Sequence, residues 1–315
     1  MRNKKLNIIV PCFNEEEALP ETIRILSNEL NTLSESNLID LELSKILFVD
    51  DGSNDRTWEI LQKESRANNL VSAIKLTRNF GHQNALLAGI LESDSDVFIT
   101  IDADLQDDVS AMNRMLQDYH AGMEIVYGVR NDRSSDNFFK RNSASLFYKL
   151  LNLLGAKVVN NHADFRLLSK RAKNSLSKYK ESNVYLRGVI PLIGLPSSSV
   201  EYKRFKRNKG KTKYSFTKMI SLSLSGITSF SLIPLRLISI LGLIVSISSA
   251  LMIFYIFYIA LFTEKAIEGW ASTLVSIYFL GGMQLLALGI IGEYLGKVFN
   301  ETKKRPHYLI EDKIE

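Results

Sequence analysis

Two aspartates one residue apart are the most informative chemical feature of this sequence. Asp102 and Asp104 follow residues 97–101, an apolar run typical of a buried strand. On an extended backbone, residues two apart point the same way, so both carboxylates can face one cleft if the strand conformation persists. Paired carboxylates suit Mg²⁺ or Mn²⁺, and Mg²⁺ is usually held by a couple of them together with substrate phosphates. The pair therefore predicts a divalent metal site.

The segments around this pair alternate between strand and helix patterns. The strand-like runs are residues 6–10, 45–49, 71–76, 97–101 and 124–129. Helical periodicity fills the gaps at residues 16–33, 55–68, 83–91 and 107–121. This alternation predicts an α/β domain with a mostly parallel sheet covered by helices on both faces. In such sheets, ligands bind in the loops after the strands.

Those loops carry polar or turn residues. They are residues 11–16, 50–54, 77–81 and 102–107. Their meeting at one sheet edge predicts a nucleotide site, although Asp50 to Ser53 is equally compatible with a turn and a helix cap. The chain has no glycine-rich dinucleotide fingerprint and no P-loop, which argues against a dehydrogenase or a P-loop NTPase. A metal on the aspartate pair, helped by Arg78, would supply another way to hold a pyrophosphate.

Composition bounds the class of protein. The 315 residues are 46% hydrophobic with a net charge of +5, and the positive charge is concentrated around two apolar stretches in the last third. This distribution indicates a membrane surface rather than a nucleic acid as partner. The one cysteine, Cys12, excludes an internal disulfide, and we interpret it as a buried spacer. The first apolar run is too short for a signal peptide, so we expect a cytosolic N-terminal domain.

The two apolar stretches predict a transmembrane hairpin. Residues 237–262 and 271–292 each exceed the roughly 30 Å of a bilayer core at about 1.5 Å per residue. Lysines and arginines flank the hairpin on both sides, whereas the turn holds only Lys265. By the positive-inside rule, we expect a multi-pass cell-membrane protein with its N-terminal domain and both termini in the cytoplasm. Residues 214–235 form either interfacial helices or an amphipathic helix packed on the soluble domain.

The ordered loop motifs resemble those of glycosyltransferase family 2. They read Pro11-Cys-Phe-Asn-Glu15, Val49-Asp-Asp-Gly-Ser53, Arg78-Asn-Phe-Gly81 and Asp102-Ala-Asp-Leu-Gln-Asp107. Within that family the chain is similar to polyprenyl-phosphate glycosyltransferases, such as dolichol-phosphate mannose synthase and the bactoprenol glucosyltransferases. The resemblance continues through residues 162–168, Arg187-Gly188 and residues 202–214, and so covers nearly the whole chain.

The resemblance implies a fold and a set of site residues. The fold is GT-A, with a catalytic domain at residues 1–213, interfacial helices at 214–235, two transmembrane helices within 236–296 and a cytoplasmic tail at 297–315. Positions that bind the nucleotide sugar correspond to Pro11, Phe13, Glu15, Asp50, Asp51, Arg78 and Asp102. Metal positions correspond to Asp102, Asp104 and Gln106. Catalytic positions correspond to Asp104, Gln106 and Asp164, the last near the acceptor.

Phosphate contacts to the acceptor are expected from basic residues. They are Arg130, Arg204, Arg207 and Lys213. The run at residues 203–213 is, however, also typical of a solvated positive-inside flank. A lipid phosphate is already an anion at neutral pH and needs no strong general base, so Asp164 is expected to orient groups rather than remove a proton.

The sequence thus predicts an inverting, metal-dependent hexosyltransferase. It would transfer one sugar, from UDP-glucose or a UDP-N-acetylhexosamine, to undecaprenyl or another polyprenyl phosphate and so supply cell-surface glycan modification. GDP-mannose stays open as donor. The alternatives are a processive polysaccharide synthase, whose Gln-x-x-Arg-Trp motif is missing, and a non-catalytic membrane scaffold. Small residues at Gly281, Gly282 and Gly289 make a homo-oligomer possible.

Overall fold

In the computed structural model, the structure describes residues 4–130, 162–181, 185–203 and 270–314, together with isolated positions between 238 and 262. Within these ranges the chain forms eight strands and seven helices. The strands are β1 (Leu6–Cys12), β2 (Lys45–Asp50), β3 (Val71–Leu76), β4 (Val97–Thr100), β5 (Ile125–Arg130), β6 (His162–Ser169), β7 (Ser197–Tyr202) and β8 (Ile310–Ile314). The helices are α1 (Leu19–Glu35), α2 (Thr57–Ala67), α3 (His82–Glu92), α4 (Ala111–His120), α5 (Lys170–Leu176), α6 (Leu186–Leu192) and α7 (Trp270–Thr302).

The strands form one sheet in the order β7-β5-β6-β4-β1-β2-β3-β8. β1 pairs in parallel with β2 and β4, β2 with β3, and β5 with β7. Only β6 and β8 run against the other described strands. The predicted α/β fold with a mostly parallel sheet is therefore confirmed.

All five predicted strands and all four predicted helices are present, with their ends displaced by a few residues. The largest displacement is at α4, which begins at Ala111 rather than residue 107. Asp107 instead bonds to Tyr202, and Asp108 accepts from the backbone and hydroxyl of Ser110. These residues therefore belong to the loop before α4 and not to the helix. The short α5 and α6 and the strands β6, β7 and β8 were not among the predicted elements.

Apolar side chains cover both faces of the sheet. Along β1, Ile8 and Val10 belong to the cluster that includes α1 and α4, while Ile9 belongs to the cluster that includes α3. This alternation follows from the two-residue period of a strand. Every residue of β1 is buried, as expected for a central strand with helices on both sides.

Helix α3 lies unusually close to β1 and β2, and Gly89 permits this approach. A Cβ atom at position 89 would lie 2.4 Å from Cγ2 of Ile9 and 2.9 Å from Cγ2 of Val49. Glycine inside a helix is unfavourable by about 1 kcal/mol relative to alanine. The close packing of α3 on the sheet therefore explains why a residue of poor helix propensity occupies this site.

The chain divides into two compact units. The first contains the sheet with α1 to α6, and the second contains α7. Among the described residues, no helix combines the length and the apolar character needed to cross a bilayer. The predicted transmembrane hairpin is therefore not shown: residues 271–292 fall within α7, whereas residues 214–235 and most of 237–262 lie outside the described residues.

We predict that Gly89→Ala destabilises the protein although alanine is the better helix former. The added methyl would overlap two side chains of the sheet, and overpacking costs about 1–3 kcal/mol, more than the gain in propensity. Urea unfolding followed by circular dichroism measures the effect. Asn31→Ala on the exposed face of α1 is the control, because it gains propensity without a clash. An unchanged or raised midpoint for Gly89→Ala would contradict the close packing.

Candidate active site

The aspartate pair lies in the loop that follows β4. The strand ends at Thr100, two residues before Asp102. The condition that the strand conformation persists through the pair is therefore not met. Asp102 and Asp104 are nevertheless both half-buried and flank Ala103, whose side chain is buried. The hydroxyl of Thr22 on α1 donates a 2.7 Å hydrogen bond to the carbonyl of Ala103. Helix α1 therefore fixes the position of the loop between the two aspartates.

The two carboxylates have different partners. Asp104 accepts from the backbone N–H of Gln106 at 3.4 Å and from its side-chain amide at 3.0 Å. Oδ1 of Asp102 is buried without a hydrogen-bond partner in the described residues and lies 3.4 Å from Nε2 of His82. Burial raises the pKa of Asp102, and nearby Asp164, Asp107 and Asp104 raise it further against the opposing effect of His82. A nearby cation would favour the ionised form of this carboxyl.

These features fit a divalent cation. A buried carboxylate oxygen with no hydrogen-bond partner among the described residues, beside a second carboxylate, offers the hard oxygen ligands that Mg²⁺ and Mn²⁺ take. Within the described ranges, no group of three or more His, Cys, Asp or Glu residues is arranged to hold a metal ion. The predicted arrangement, two carboxylates completed by substrate phosphates, requires no such group.

Asp164 on β6 is the centre of a charged network. Arg187 of α6 donates to both of its oxygens, from Nε at 3.2 Å and from Nη2 at 2.9 Å. Arg166, only 1% exposed, donates to Oδ1 from the same strand. Gln83 donates to Oδ2 at 3.2 Å, and Nε2 of His82 lies 3.4 Å from the same atom. One strand and two helices thus direct cationic or donor groups at one buried carboxylate.

These partners fix the charge of Asp164. Burial by itself would raise its pKa, but the hydrogen bond from His82 and the charges of Arg166 and Arg187 hold the pKa well below its usual range. For His82, burial disfavours the imidazolium, yet Asp164 and Asp102 together raise its pKa. Asp164 is therefore ionised at neutral pH and surrounded by donors. Such a group orients its neighbours and is a poor proton acceptor.

A second network joins the loops after β1, β2 and β3. Asp51 accepts from the backbone N–H groups of Phe80 at 2.7 Å and Gly81 at 2.9 Å, one with each oxygen. Asn14, with a positive φ of 54°, donates its backbone N–H to Ser53 at 2.9 Å. These contacts hold three loops together at the carboxyl ends of neighbouring parallel strands, where ligands bind in such sheets.

The loops after β2 and β3 are in direct contact at Gly52. This residue has a φ of +69°, and a Cβ atom on it would lie 2.5 Å from the carbonyl carbon of Arg78. Only glycine satisfies both conditions at low cost. The exposed Arg78 guanidinium lies 4.1 Å from the centre of the Phe80 ring, an attractive cation–π contact.

Asp50 and Asp51 are buried rather than presented to solvent. Asp50 accepts from the backbone N–H of Ser53 at 3.0 Å, whereas its Oδ2 has no hydrogen-bond partner in the described residues. Burial raises the pKa of both carboxyls, although hydrogen bonds oppose the rise. The motif therefore does form a turn, in which both carboxylates accept hydrogen bonds from the loop backbone.

A third group of side chains connects β5 and β7 with the aspartate loop. Tyr202 donates to Oδ1 of buried Asp107 at 2.7 Å. Arg130 donates to the same oxygen at 3.3 Å and to the Tyr202 hydroxyl at 3.3 Å. Arg130, a predicted phosphate ligand, is thus held at the end of β5 with its guanidinium about one-third exposed.

The remaining predicted residues fall into two sets. Pro11 is buried in β1 opposite Val49, while Phe13 and Glu15 are half-buried in the loop that follows. Arg204, Arg207 and Lys213 lie outside the described residues. Cys12 is buried, as expected for a spacer beside the first strand, and burial raises the pKa of its thiol.

Sequence reasoning missed the contacts that His82, Arg166 and Arg187 make in the site. The ring of His82 lies beside both Asp102 and Asp164. A usable signal was the Asp-Phe-Arg order in an apolar run, since residues two apart on a strand share a face. The contact between Arg187 and Asp164 joins residues 23 apart, and no local pattern predicts it.

We predict that Asp164→Asn lowers the free energy of unfolding by about 3–5 kcal/mol, because it leaves Arg166 as a buried charge without its counter-charge. The folded-state pKa of Asp164 is depressed, so its contribution is complete at neutral pH and is lost as pH falls below about 4. Urea titration at pH 7 measures the loss. Asp94→Asn, which breaks an exposed ion pair with Lys170, is the control and should leave the midpoint unchanged. Equal midpoints for both variants would show that the buried contact between Asp164 and Arg166 does not stabilise the fold.

The chain is similar to known glycosyltransferases. The family model described as glycosyl transferase family 2 matches residues 7–176. The uncharacterized glycosyltransferase YkoT of Bacillus subtilis (strain 168) is 50% identical over 312 residues, covering 97% of this chain and 91% of its own. The bactoprenol glucosyl transferase of Shigella phage SfX is 38% identical over 310 residues, covering 98% of this chain and 99% of its own.

A solved structure supports the fold. The mannosyltransferase PcManGT from Pyrobaculum calidifontis, in complex with GDP-Man and Mn²⁺, superimposes with a TM-score of 0.51 at 13% identity, covering 73% of this chain and 64% of its own. At this identity the likeness concerns the fold alone. Together with the family model and the near full-length relatives, this likeness supports the predicted GT-A-like sheet. The chain belongs to glycosyltransferase family 2.

Proposed function

We propose that this protein transfers a single sugar from a nucleotide sugar to a polyprenyl phosphate, with inversion at the anomeric carbon. The donor is a UDP-sugar, either UDP-glucose or a UDP-N-acetylhexosamine, and the acceptor is undecaprenyl phosphate or a close analogue. The relatives named bactoprenol glucosyl transferases, aligned over nearly the whole chain, support this acceptor class. The product would supply a lipid-linked sugar for cell-surface glycans.

The observation that carries the proposal is the arrangement around Asp102. Within the described part of the chain, one of its oxygens is buried without a hydrogen-bond partner and lies 3.4 Å from His82, and Asp104 is on the same loop. A bound Mg²⁺ or Mn²⁺ would neutralise charge on the diphosphate leaving group; the structural neighbour from Pyrobaculum calidifontis was solved with Mn²⁺. Gln106 donates to Asp104 and so orients that carboxylate toward the cleft.

The donor nucleotide is assigned to the three joined loops. Pro11, Phe13 and Glu15 would contact the base and ribose. Asp50 has an oxygen without a hydrogen-bond partner in the described residues, which could accept from the base or the ribose. Asp51 already accepts two backbone N–H groups, so we assign it the role of holding the loop that carries Arg78. Arg78 would contact the donor's diphosphate, since its guanidinium is exposed at this edge.

The reaction needs orientation more than proton transfer. An acceptor phosphate is already anionic and can attack the anomeric carbon directly, on the face opposite the diphosphate. Asp164 is held ionised among cationic donors and positions His82 and Arg187. Direct displacement of this kind converts an α-linked donor sugar into a β-linked product.

The acceptor end rests on basic side chains and on the membrane. Arg130, held by Asp107 and Tyr202, would contact the acceptor phosphate, and we assign Arg204, Arg207 and Lys213 to the same task. A basic segment beside a bilayer also gains about 1 kcal/mol per Lys or Arg from anionic lipids. We propose residues 1–213 as the catalytic domain on the cytoplasmic face. The two apolar stretches would hold it at the membrane, and the tail would also be cytoplasmic.

We expect purified protein in detergent to transfer label from one nucleotide sugar to undecaprenyl phosphate, and only with Mg²⁺ or Mn²⁺ present. A panel of radiolabelled UDP- and GDP-sugars, with chloroform extraction of the product, measures this transfer. Label from a single UDP-sugar would identify the donor. The absence of lipid-linked label from every donor, with folded protein, would refute the proposal.

We further expect Asp104→Asn to lower kcat by about 10²–10³-fold, because it removes one of two carboxylates available to the cation. Asp108→Asn is the matched control: it lies in the same loop, bonds to Ser110 and should transfer sugar at the wild-type rate. Both variants should keep the wild-type unfolding midpoint. Full turnover by Asp104→Asn would rule out a metal role for this residue.

A further inference from the structure

The last residues of the chain form part of the catalytic sheet. Strand β8 pairs antiparallel with β3, with Ile314 opposite Ala73 and Ile310 opposite Leu76. Lys75 of β3 and Glu311 of β8 form an ion pair at 2.8 Å. The register shifts between Lys75 and Leu76, near the carboxyl end of β3. The segment 297–315, predicted to be a tail, therefore ends as a strand beside the site.

The C-terminal segment 308–314 also contacts the start of the donor loop. The backbone N–H of Thr77, the residue after β3, donates to the carbonyl of Leu309 at 3.0 Å. Thr77 is followed directly by Arg78, and Phe80 and Gly81 then bond to Asp51. The loop 77–81 is thus held at its beginning by the C-terminal segment and at its end by Asp51.

The same segment contacts helix α3 at its far end. The hydroxyl of Tyr308 donates to Glu92, the last residue of α3, at 2.9 Å. A carboxylate in the last turn of a helix opposes the helix dipole, so this donor compensates an unfavourable charge. Tyr308 and Phe80 also pack against the same apolar cluster. Because α3 begins at His82, the segment contacts elements on both sides of the loop.

We infer that the C-terminal segment 308–314 is a positioning element for donor binding: it holds the loop 77–81, and with it Arg78, in the conformation that receives the nucleotide sugar. The inference rests on the proposed function for the identity of the ligand. The structural part of the inference, that this segment orders the loop 77–81, is independent of the proposed function. Tyr308 acts through the loop and α3 and is a positioning residue.

The test compares Tyr308→Phe and a chain ending at His307 with the wild type. Loss of one hydrogen bond to a charged group should raise KM for the nucleotide sugar about fivefold, with kcat and KM for the lipid acceptor unchanged. The truncated chain should show a larger rise. Tyr179→Phe is the matched control, since Tyr179 packs against the same apolar cluster and its hydroxyl bonds to the carbonyl of Leu192 rather than to α3.

Hydrogen exchange separates the two hypotheses. In both C-terminal variants, amides of residues 77–84 should exchange faster than in the wild type, whereas Tyr179→Phe should leave them unchanged. If the wild type transfers no sugar, faster exchange in these amides still supports the positioning role while the proposed function fails. Unchanged exchange in the truncated, folded chain would overturn the inference, as would a fall in kcat with an unchanged donor KM for Tyr308→Phe.

Discussion

The site depends on one buried electrostatic contact, that between Asp164 and Arg166. Neither side chain could be buried alone, since an isolated charge inside a protein is very unfavourable. Together they form a charge pair near the start of β6, and the carboxylate of Asp164 orients Arg187, Gln83 and His82. The His82 ring in turn contacts Asp102. The geometry of the loop that carries Asp102 and Asp104 is therefore linked to a charge pair that is itself part of the sheet.

Buried carboxylate contacts also fix the loops that follow β2 and β3. Asp51 uses both carboxylate oxygens on backbone N–H groups of the neighbouring loop, and Gly52 lets the two backbones touch. Loops are otherwise the most variable and mobile parts of a fold. Here buried carboxylates remove that freedom, so the binding surface is set before any ligand arrives. Such preorganisation lowers the entropic cost of binding.

The hydrophobic periodicity of the sequence predicted those strands and helices whose pattern lies within their own residues. The alternation of apolar runs located β1 to β5 and α1 to α4, because each contains its own periodicity. The aspartate pair was found by the same reasoning, although a turn rather than an extended strand exposes it. The contacts that complete the site could not be predicted this way. Arg187 reaches Asp164, and Tyr202 reaches Asp107, only through tertiary packing between distant segments.

Strand β8 has a further consequence for the behaviour of the protein in solution. Without it, β3 would be the outer strand of the sheet, and the unpaired backbone edge of this largely buried strand could pair with another chain. β8 covers that edge with a strand of five residues in which Glu311, Asp312 and Lys313 are exposed. Short, charged edge strands discourage pairing between molecules. The end of the chain thus also protects the sheet against edge-to-edge aggregation.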